Sequence, residues 1–356
     1  MARTSDNLFF EVTRQEEGRR LDAALTALLP DMGLRGRRRL CEQGLALVNG
    51  KPAQPAYKVR SGQRIEIASK TEKATSSQMR TDLKTAPCGQ INEEIHGRQN
   101  DDAAYDDARL LQRSAHLALL YKPSGMHTAH LAGISNCSLE KRLKELIPDV
   151  PQINLLNRLD QFTSGIVAAA LDDEGTEFYH TVQSNGYLEK RYLAILEGRL
   201  RRPVLACGRI LQDNRRRVRV LQESDQDFHR HTFFFPIAEL DAVRCAALLS
   251  RAGCRESEVT CPRDGATLAG CVICRGARHQ IRAHAAALGH PLLGDAKYGA
   301  KSLTETFFLH HARLLLDGMD MCVLPLWLKY MEGGGSNVCE NAVRWLDRPP
   351  SRPFSK

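Results

Sequence analysis

The sequence predicts a mixed α+β fold built from more than one unit. From Ala115 onward, short apolar runs such as HLALLYKPSG, SGIVAAAL and AGCVICRG are bounded by turn residues, a pattern typical of strands. Few stretches suit long helices, and RHQIRAHAAAL is one of the helices that would cross such a sheet. A polar stretch over residues 70–112 separates these runs from an N-terminal zone, and 356 residues exceed one average domain. We therefore predict a small N-terminal αβ unit followed by a larger α+β unit.

The composition favours a polyanionic partner and gives no sign of a membrane segment. Lys and Arg number 50 against 42 Asp and Glu, a formal net charge of +8, which by itself predicts only non-specific attraction to nucleic acid. No apolar run approaches the roughly 20 residues of a membrane span. The first residues, MARTSDNLFFEV, lack the apolar core of a signal peptide. We expect a cytoplasmic protein without a membrane partner, and a monomer is the default assumption.

The cysteines give little support for a metal site. The chain has 11 cysteines, and Cys271-Val-Ile-Cys274 is the one pair in the densest group with a spacing that metal sites use. This pair lies in GCVICR, which has the composition of a buried strand. We interpret these cysteines as small core residues and predict no metal ligands.

The N-terminal zone, residues 1–69, predicts two helices followed by short strands. The segment GRRLDAALTALLP places Leu21, Ala24, Leu25 and Leu28 at helical spacing, and LRGRRRLCEQG follows as a second helix. The run LALVNGKPAQPAYKVRSGQRIEI then predicts strands separated by turns at Asn49-Gly50 and Ser61-Gly62. Four arginines crowd the start of the second helix: Arg35, Arg37, Arg38 and Arg39. Such a cluster fits phosphate contacts, and a solvated basic face is the alternative.

This zone resembles the small RNA-binding module first seen in a small-subunit ribosomal protein, called S-four-like below. In that family a basic helix-turn-helix leads into a strand that ends in V-N-G-K, and residues 47–51 match this pattern. The resemblance covers about residues 18–68. It implies that the unit binds RNA through Arg35, Arg37, Arg38 and Lys51.

Two further stretches lack the periodic apolar positions of folded elements. Residues 70–112 contain SKTEKATSSQ and RQNDDAAYDDAR and are predicted to be a flexible linker. Residues 331–356 contain EGGGS and RPPSRP and are predicted to be a loose C-terminal tail. Residues 113–330 between them are long enough for one large core.

The most informative stretch of this large unit is LLNRLDQFTSG at residues 155–165. Asp160 follows an apolar run and lies two positions after Arg158. A carboxylate in such a setting is either kept ionised for chemistry or forms a structural ion pair. The sequence of this stretch alone leaves both interpretations open.

Five blocks of residues, taken in order, resemble the large family of pseudouridine synthases that modify ribosomal and transfer RNA. The blocks are YKPSG at 121–125, NRLDQFTSG at 157–165, KRYLA at 190–194, RHQIR at 278–282 continuing into AHAAALGHPLLGDAKYG, and LHHAR at 309–313. Each block alone would be a weak signal, but five in order are specific, and together they span about residues 115–325. Two positions depart from the family pattern. Asn157 stands where many relatives have His, and Ala277 stands where the usual Arg follows Gly.

The resemblance implies a catalytic role for three residues. Asp160 matches the family's catalytic Asp, which attacks the ribose anomeric carbon or the uracil ring, or assists departure of the base. Arg282 matches the Arg that pairs with this Asp and keeps it charged and oriented. Tyr192 matches the family aromatic that stacks on the detached uracil and whose hydroxyl can act in proton transfer. The family fold is a large, mostly antiparallel bent sheet with a central cleft, and we expect Asp160 on a loop beside that cleft.

Four further residues are predicted to contact RNA. Arg158 lies on the same face as Asp160 if the backbone is extended, and would meet a phosphate or fill the space that a flipped base leaves. Lys190 and Lys122 are candidates for substrate and phosphate contacts. If RHQIR is a strand, Gln280 shares a face with Arg282, while His279 turns away and is not a base.

The predicted activity is therefore isomerisation of specific uridines to pseudouridine in structured RNA. The reaction adds and removes nothing, so no metal or organic cofactor is required. We predict 23S ribosomal RNA as the substrate, with transfer RNA as the alternative. A non-catalytic RNA-binding, ribosome-associated protein is a second hypothesis, and the presence of Asp160, Tyr192 and Arg282 argues against it. A metal-dependent hydrolase that uses the Cys and His residues has little support.

Overall fold

The structure is a computed structural model that describes residues 9–14, 16–29, 37–38, 41, 46–67, 107–130, 138–211, 217–251, 264–300, 306–316, 319–331 and 337–348. The chain divides into two compact units, Met1–Asp82 and Leu83–Lys356. Within the described ranges, no helix is both long and apolar enough to cross a membrane.

The N-terminal unit packs a short helix against a four-stranded antiparallel sheet. The helix α1 (Leu21–Ala24) continues as a 3-10 turn over Leu25–Ala27. The strands run in the order β1-β4-β2-β3: β1 (Phe9–Glu11), β2 (Ala46–Val48), β3 (Lys51–Pro52) and β4 (Arg64–Ile67). The predicted Asn49-Gly50 turn joins β2 to β3, with both residues at positive φ, +49° and +76°. Of the second predicted helix, the structure describes Arg37, Arg38 and Cys41, and all three have helical backbone.

The large unit is built on one ten-stranded sheet. Its main path runs in the order β10-β13-β14-β9-β15-β8-β6-β5, with β16 beside β15 and β7 beside β8. The strands are β5 (Arg109–Arg113), β6 (Leu117–Lys122), β7 (Asn154–Leu155), β8 (Ser164–Ala170), β9 (Glu189–Glu197), β10 (Val204–Ala206), β13 (Thr232–Leu240), β14 (Ala266–Ile273), β15 (Leu309–Leu316) and β16 (Met319–Cys322). All pairs are antiparallel except β8 with β15. The predicted α+β fold with a mainly antiparallel sheet is confirmed.

Helices cover this sheet, and a separate hairpin packs against one of these helices. The helices are α2 (Leu139–Leu146), α3 (Asp173–Ser184), α4 (Ala242–Arg251), α5 (Gln280–Ala287) and α6 (Val338–Leu346). The hairpin consists of β11 (Gly208–Leu211) and β12 (Arg219–Ser224). Every residue of the central strands β8, β9 and β14 is buried. Both faces of the sheet are therefore covered, which explains why these strands are continuous apolar runs in the sequence.

The parallel contact between β8 and β15 depends on the glycine of the Thr-Ser-Gly turn. Gly165 has φ +115°, and a Cβ added there would lie 2.3 Å from the backbone oxygen of His311. Only glycine allows this backbone conformation and this close approach. The turn thereby brings the loop that precedes β8 close to the central strands β9 and β15.

The structure corrects two predicted boundaries. β5 begins at Arg109 and pairs with β6, so residues 109–112 belong to the sheet and not to the predicted linker. The rest of that linker, residues 70–106, lies outside the described residues. The predicted tail contains α6, whose Trp345 ring lies on Gly270 and fills the space that a Cβ there would need. Residues 338–346 hold apolar residues at helical spacing, but the neighbouring EGGGS and RPPSRP runs favoured a loose tail.

Candidate active site

Asp160 lies on the loop between β7 and β8, as predicted, and tertiary hydrogen bonds hold this loop in place. The Leu159 backbone N–H donates to Thr128 Oγ1 (3.0 Å), and that hydroxyl donates to the Leu159 oxygen (2.7 Å). At the start of the loop, the Ala168 N–H donates to Asn157 Oδ1 (2.7 Å). These bonds fix the backbone on both sides of Asp160 and so limit where its carboxylate can point.

Arg282, in the first turn of α5, links Asp160 to a second carboxylate. Its Nη1 donates to Asp160 Oδ2 (2.8 Å), while Nε and Nη2 donate to the two oxygens of Asp295 (2.7 and 2.8 Å). The Asp295 side chain is 1% exposed, whereas that of Asp160 is 23% exposed. Burial opposes the charge of Arg282, but the hydrogen bonds to Asp295 and the charge of Asp160 outweigh it and raise the arginine's pKa. Asp295 therefore fixes the guanidinium, and the guanidinium orients Asp160.

The exposed side of Asp160 faces a cavity of about 530 Å³. The predicted residues that line it are Asp160, Arg158, Lys190, Tyr192, Gln280 and Arg282. Leu309 and Ile273 add apolar surface to its wall. This volume lies in the range of small-molecule and nucleoside pockets. A second cavity of about 700 Å³ adjoins it and shares Asp160, His279 and Arg282.

Tyr192 and Lys190 project from the same face of the central strand β9 into this cavity. The Tyr192 ring stacks on the His311 ring, with 4.5 Å between centroids and an interplanar angle of 15°. The pKa of Tyr192 is raised mainly by burial and further by the negative charge of Asp160. The hydroxyl is therefore protonated at neutral pH. Burial also lowers the pKa of His311 to about 3, and its Nδ1 donates to the Ile166 oxygen (2.5 Å). Tyr192 therefore rests on a neutral imidazole.

Lys190 is a buried amine at the edge of the cavity. Its ammonium lies 5.8 Å from the centre of the Tyr179 ring, and in the described part of the chain no carboxylate lies within ion-pair distance. Burial lowers the pKa of Lys190 to about 8. A buried and unpaired ammonium costs stability, so its position here favours a role toward a ligand.

Comparison with known proteins places this site in an enzyme family. The sequence profile of the RNA pseudouridylate synthase family matches residues 116–287, which include Asp160, Tyr192 and Arg282. Ribosomal large subunit pseudouridine synthase C of Escherichia coli (strain K12) is 27% identical over 323 residues, which cover 85% of this chain and 86% of that protein. In both comparisons the chain is similar to RNA pseudouridine synthases. It is accordingly an isomerase that acts on RNA.

Further relatives show the same similarity. Ribosomal large subunit pseudouridine synthase C of Haemophilus influenzae is 26% identical over 296 residues, 83% of this chain and 80% of that protein. Among solved structures, Human RNA Pseudouridylate Synthase Domain Containing 1 superposes with a TM-score of 0.52 at 18% identity, over 69% of this chain and 97% of that chain. This likeness shows a shared fold. The S-four-like assignment of the N-terminal unit stays a prediction.

Two of the residues that are predicted to contact RNA make hydrogen bonds within the protein itself. Lys122 is completely buried, and its Nζ donates to the backbone oxygens of Pro123 (2.8 Å), Met126 (2.7 Å) and Gln161 (3.1 Å). It joins the loop after β6 to the Asp160 loop and does not reach a phosphate. Gln280 lines the cavity, but its amide donates to Arg230 O and Thr232 Oγ1.

Of the two interpretations of RHQIR, the helix is confirmed and the strand is wrong, because α5 begins at Gln280. The alternation of side chains along a strand therefore does not apply, and His279 does not turn away from the site. His279 directly precedes the helix, and its Nε2 lies 3.8 Å from Asp160 Oδ1. Its backbone is left-handed, with φ +55°.

The sequence prediction also missed four residues around the site. Asp295 fixes Arg282, and Tyr298 contacts His279; both belong to the GDAKYG run at 294–299, which was quoted for the resemblance without a role for either side chain. Arg278 and Lys297 are exposed cations at the two cavities. Their position in the sequence, next to or within the quoted motifs, is a signal from which both cations could have been predicted.

The predicted RNA contacts of the N-terminal unit surround a buried carboxylate. Arg38 Nε donates to Asp22 Oδ2 (2.8 Å), and Arg37 Nε donates to the Asp22 backbone oxygen (2.8 Å). Arg20 also pairs with the Asp22 side chain, which is 1% exposed. Lys51 is exposed on β3, and Arg35 lies outside the described residues. The arginines that the structure describes are thus anchored on Asp22, with part of each side chain exposed.

Proposed function

We propose that this protein converts uridine to pseudouridine in ribosomal RNA and that Asp160 is the nucleophile. The observation that carries the proposal is that the two oxygens of the Asp160 carboxylate have different surroundings. Its Oδ2 accepts a hydrogen bond from Arg282, whereas Oδ1 has no hydrogen-bond partner among the described residues. One oxygen is therefore held, and the other is available to a substrate.

The chemistry of the isomerisation matches what these residues can supply. The bond between uracil N1 and ribose C1′ breaks, a bond between C5 and C1′ forms, C5 loses a proton and N1 gains one. Oxidation states balance, so the reaction needs a nucleophile, a place for the detached base and proton transfer. Asp160 supplies the nucleophile, by attack either at C1′ or on the uracil ring.

Arg282 supports this role through its fixed geometry. The guanidinium is shared between two carboxylates, and the one that is more deeply buried, Asp295, holds it by two hydrogen bonds. Arg282 can therefore orient Asp160 without a conformational change during the reaction, which is the condition for effective electrostatic catalysis. Its positive charge also stabilises the carboxylate when the base departs.

Tyr192 and Lys190 supply the surface on which the detached base can rest. A flipped uridine loses stacking worth a few kcal/mol, and an aromatic ring at the cavity wall offsets part of this cost. The Tyr192 ring is fixed from behind by His311. The Lys190 ammonium, two residues before it, can donate to a uracil carbonyl or to a phosphate oxygen.

The outer edge of the cavity suits the RNA backbone. Arg158, Arg278 and Lys297 are exposed cations that line the two cavities around Asp160. Phosphate contacts of this kind position RNA without reading its sequence. We assign a second RNA contact to the S-four-like unit, through Arg37, Arg38 and Lys51.

Ribosomal RNA is the proposed substrate because the curated relatives described above are named as ribosomal large subunit pseudouridine synthases and cover most of this chain. Transfer RNA is the alternative that the test must separate. Either RNA offers the structured, locally unpaired uridines that such a cavity can accept.

The test is pseudouridine formation by the purified protein on deproteinised ribosomal RNA and, separately, on transfer RNA, measured by mass spectrometry. We expect the native protein to modify ribosomal RNA and Asp160→Asn to be inactive with RNA binding retained. Asp173→Asn, an exposed carboxylate at the start of α3, is the matched control and should be active. Modification of transfer RNA alone would contradict the proposed substrate, and full activity of Asp160→Asn would contradict the proposed nucleophile.

A further inference from the structure

His279 has a backbone conformation that is unusual for a residue with a side chain. With φ +55° and ψ +22°, it is left-handed, and among the described residues the other non-glycine at positive φ is Asn49, in a turn. A non-glycine residue in the left-handed region is strained. Glycine would relieve this strain. The backbone oxygen of His279 accepts a hydrogen bond from the Ala283 N–H (2.9 Å), and any residue could make this contact. The strain points to a function of the ring.

Tyr298 determines which nitrogen of this ring bears the hydrogen. The Tyr298 hydroxyl accepts from the Val218 backbone N–H (3.2 Å) and lies 2.9 Å from His279 Nδ1. Among the described residues, Nδ1 is the one acceptor within hydrogen-bond distance of this hydroxyl, so we assign the hydroxyl hydrogen to Nδ1. His279 then carries its hydrogen on Nε2.

This Nε2–H faces the oxygen of Asp160 that Arg282 leaves unbonded. Nε2 lies 3.8 Å from Oδ1, and Arg282 Nη1 lies 2.8 Å from Oδ2. Burial lowers the pKa of His279 to about 4; the charge of Asp160 opposes this shift, and Arg282, Lys297 and Arg278 reinforce it. The ring is therefore neutral at neutral pH, and it can only offer Asp160 a hydrogen bond.

We propose that His279 is a positioning residue that directs the reactive oxygen of Asp160, and that Tyr298 fixes the tautomer it needs. The proposal rests on the proposed function. The gap of 3.8 Å is longer than a hydrogen bond, and a shift of roughly 1 Å when uridine enters would close it, as catalytic contacts often tighten on substrate binding. Because Nε2 already bears a hydrogen, His279 does not take the proton from uracil C5.

The sharpest variant is His279→Gly, since glycine removes the ring and also relieves the left-handed strain. We expect the relief of strain to offset part of the stability that is lost with the ring and its contact to Tyr298, so that the variant stays folded. We expect kcat on ribosomal RNA to fall by about 10- to 100-fold, the effect of a misplaced reacting group, and KM for RNA to change by less than about two-fold. His279→Asn, which tolerates the same backbone but has a shorter amide, should show a similar loss.

Two further measurements separate positioning from other roles. The first is the isotope effect of deuterium at uracil C5: a positioning residue acts before C5 loses its proton, so His279→Gly should show no larger effect than the native enzyme. The second is Tyr298→Phe, which should lower kcat in the native background and have no additional effect on kcat in the His279→Gly background.

The outcomes distinguish this inference from the proposed function. If the native protein forms pseudouridine and His279→Gly retains its kcat, the positioning role is wrong. A larger C5 isotope effect in His279→Gly would make His279 the base and would also overturn it. If the native protein itself is inactive on every RNA, the proposed function fails first, and this inference fails with it.

Discussion

Replacing Asp295 with alanine should destabilise the protein and also slow its reaction. Asp295 is 2% exposed and touches Arg282, which in turn holds Asp160. The variant leaves a buried guanidinium with two unpaired N–H groups. It therefore distinguishes the role of Asp295, which holds the arginine, from the role of Asp160, which reacts with the substrate.

The size of the effect follows from the hydrogen bonds. Two bonds of 2.7 and 2.8 Å join Arg282 to Asp295, and removing one partner of a buried ion pair costs about 3–5 kcal/mol. Asp160→Ala removes one bond from the same guanidinium at a site that is 23% exposed, so we expect a loss of roughly 1–2 kcal/mol. For a unit of this size, the Asp295 variant should lower Tm by roughly 10 °C.

The assay is urea unfolding of the native protein, Asp295→Ala, Asp295→Asn and Asp160→Ala, combined with single-turnover pseudouridine formation. Asp295→Ala should react about 100-fold more slowly, because a freed Arg282 no longer orients Asp160. Asp295→Asn keeps the side-chain volume and one acceptor oxygen. Its stability and its reaction rate should therefore lie between those of Asp295→Ala and the native protein. An Asp295→Ala variant of native stability and native rate would refute the proposed support.

Three other predictions concern residues whose roles the structure revised or defined. Trp345→Ala should cost about 3–5 kcal/mol in urea unfolding, because the ring covers Gly270; a loss below about 1 kcal/mol would mean that α6 contributes little. Lys122→Met should lower stability by roughly 3 kcal/mol through three lost hydrogen bonds, with RNA affinity of the folded protein unchanged in filter binding; weaker RNA binding would restore the phosphate role. For Lys190, whose pKa burial lowers from 10.5 to about 8, the unfolded chain binds more protons between these values, so stability should rise as pH increases from 8 to 10.5. Lys190→Met should abolish that rise and slow the reaction, and an unchanged rise would show that another group causes it.

The sequence predicted the parts of the molecule that depend on local pattern. Buried strands such as β8, β9 and β14 are visible as apolar runs, and the ordered motifs place Asp160, Tyr192 and Arg282, which the structure brings to one cavity. Their catalytic roles stay predictions. Gly165 belongs to one of these motifs, but the reason that only glycine fits there is the close approach of the His311 backbone from a distant strand.

What the sequence did not predict depends on contacts between distant residues. Lys122 is predicted from the sequence to contact a phosphate, yet one of its three acceptors is the oxygen of Gln161, 39 residues away. The sequence left RHQIR open between helix and strand, because His279 precedes α5 without a side-chain capping hydrogen bond and no Ser, Thr, Asp or Asn marks the helix start. Trp345 packs against Gly270 of the distant strand β14, a contact that its local sequence does not reveal.

The most direct test of the proposed function is a map of pseudouridines in the ribosomal and transfer RNA of cells that lack this protein. The map is repeated after complementation with the native chain, with Asp160→Ala and with the control Asp173→Asn. We predict that at least one ribosomal RNA site is lost without the protein, that the native chain and the control restore it, and that Asp160→Ala does not. Restoration of that site by Asp160→Ala, or identical maps with and without the protein, would contradict the central claim.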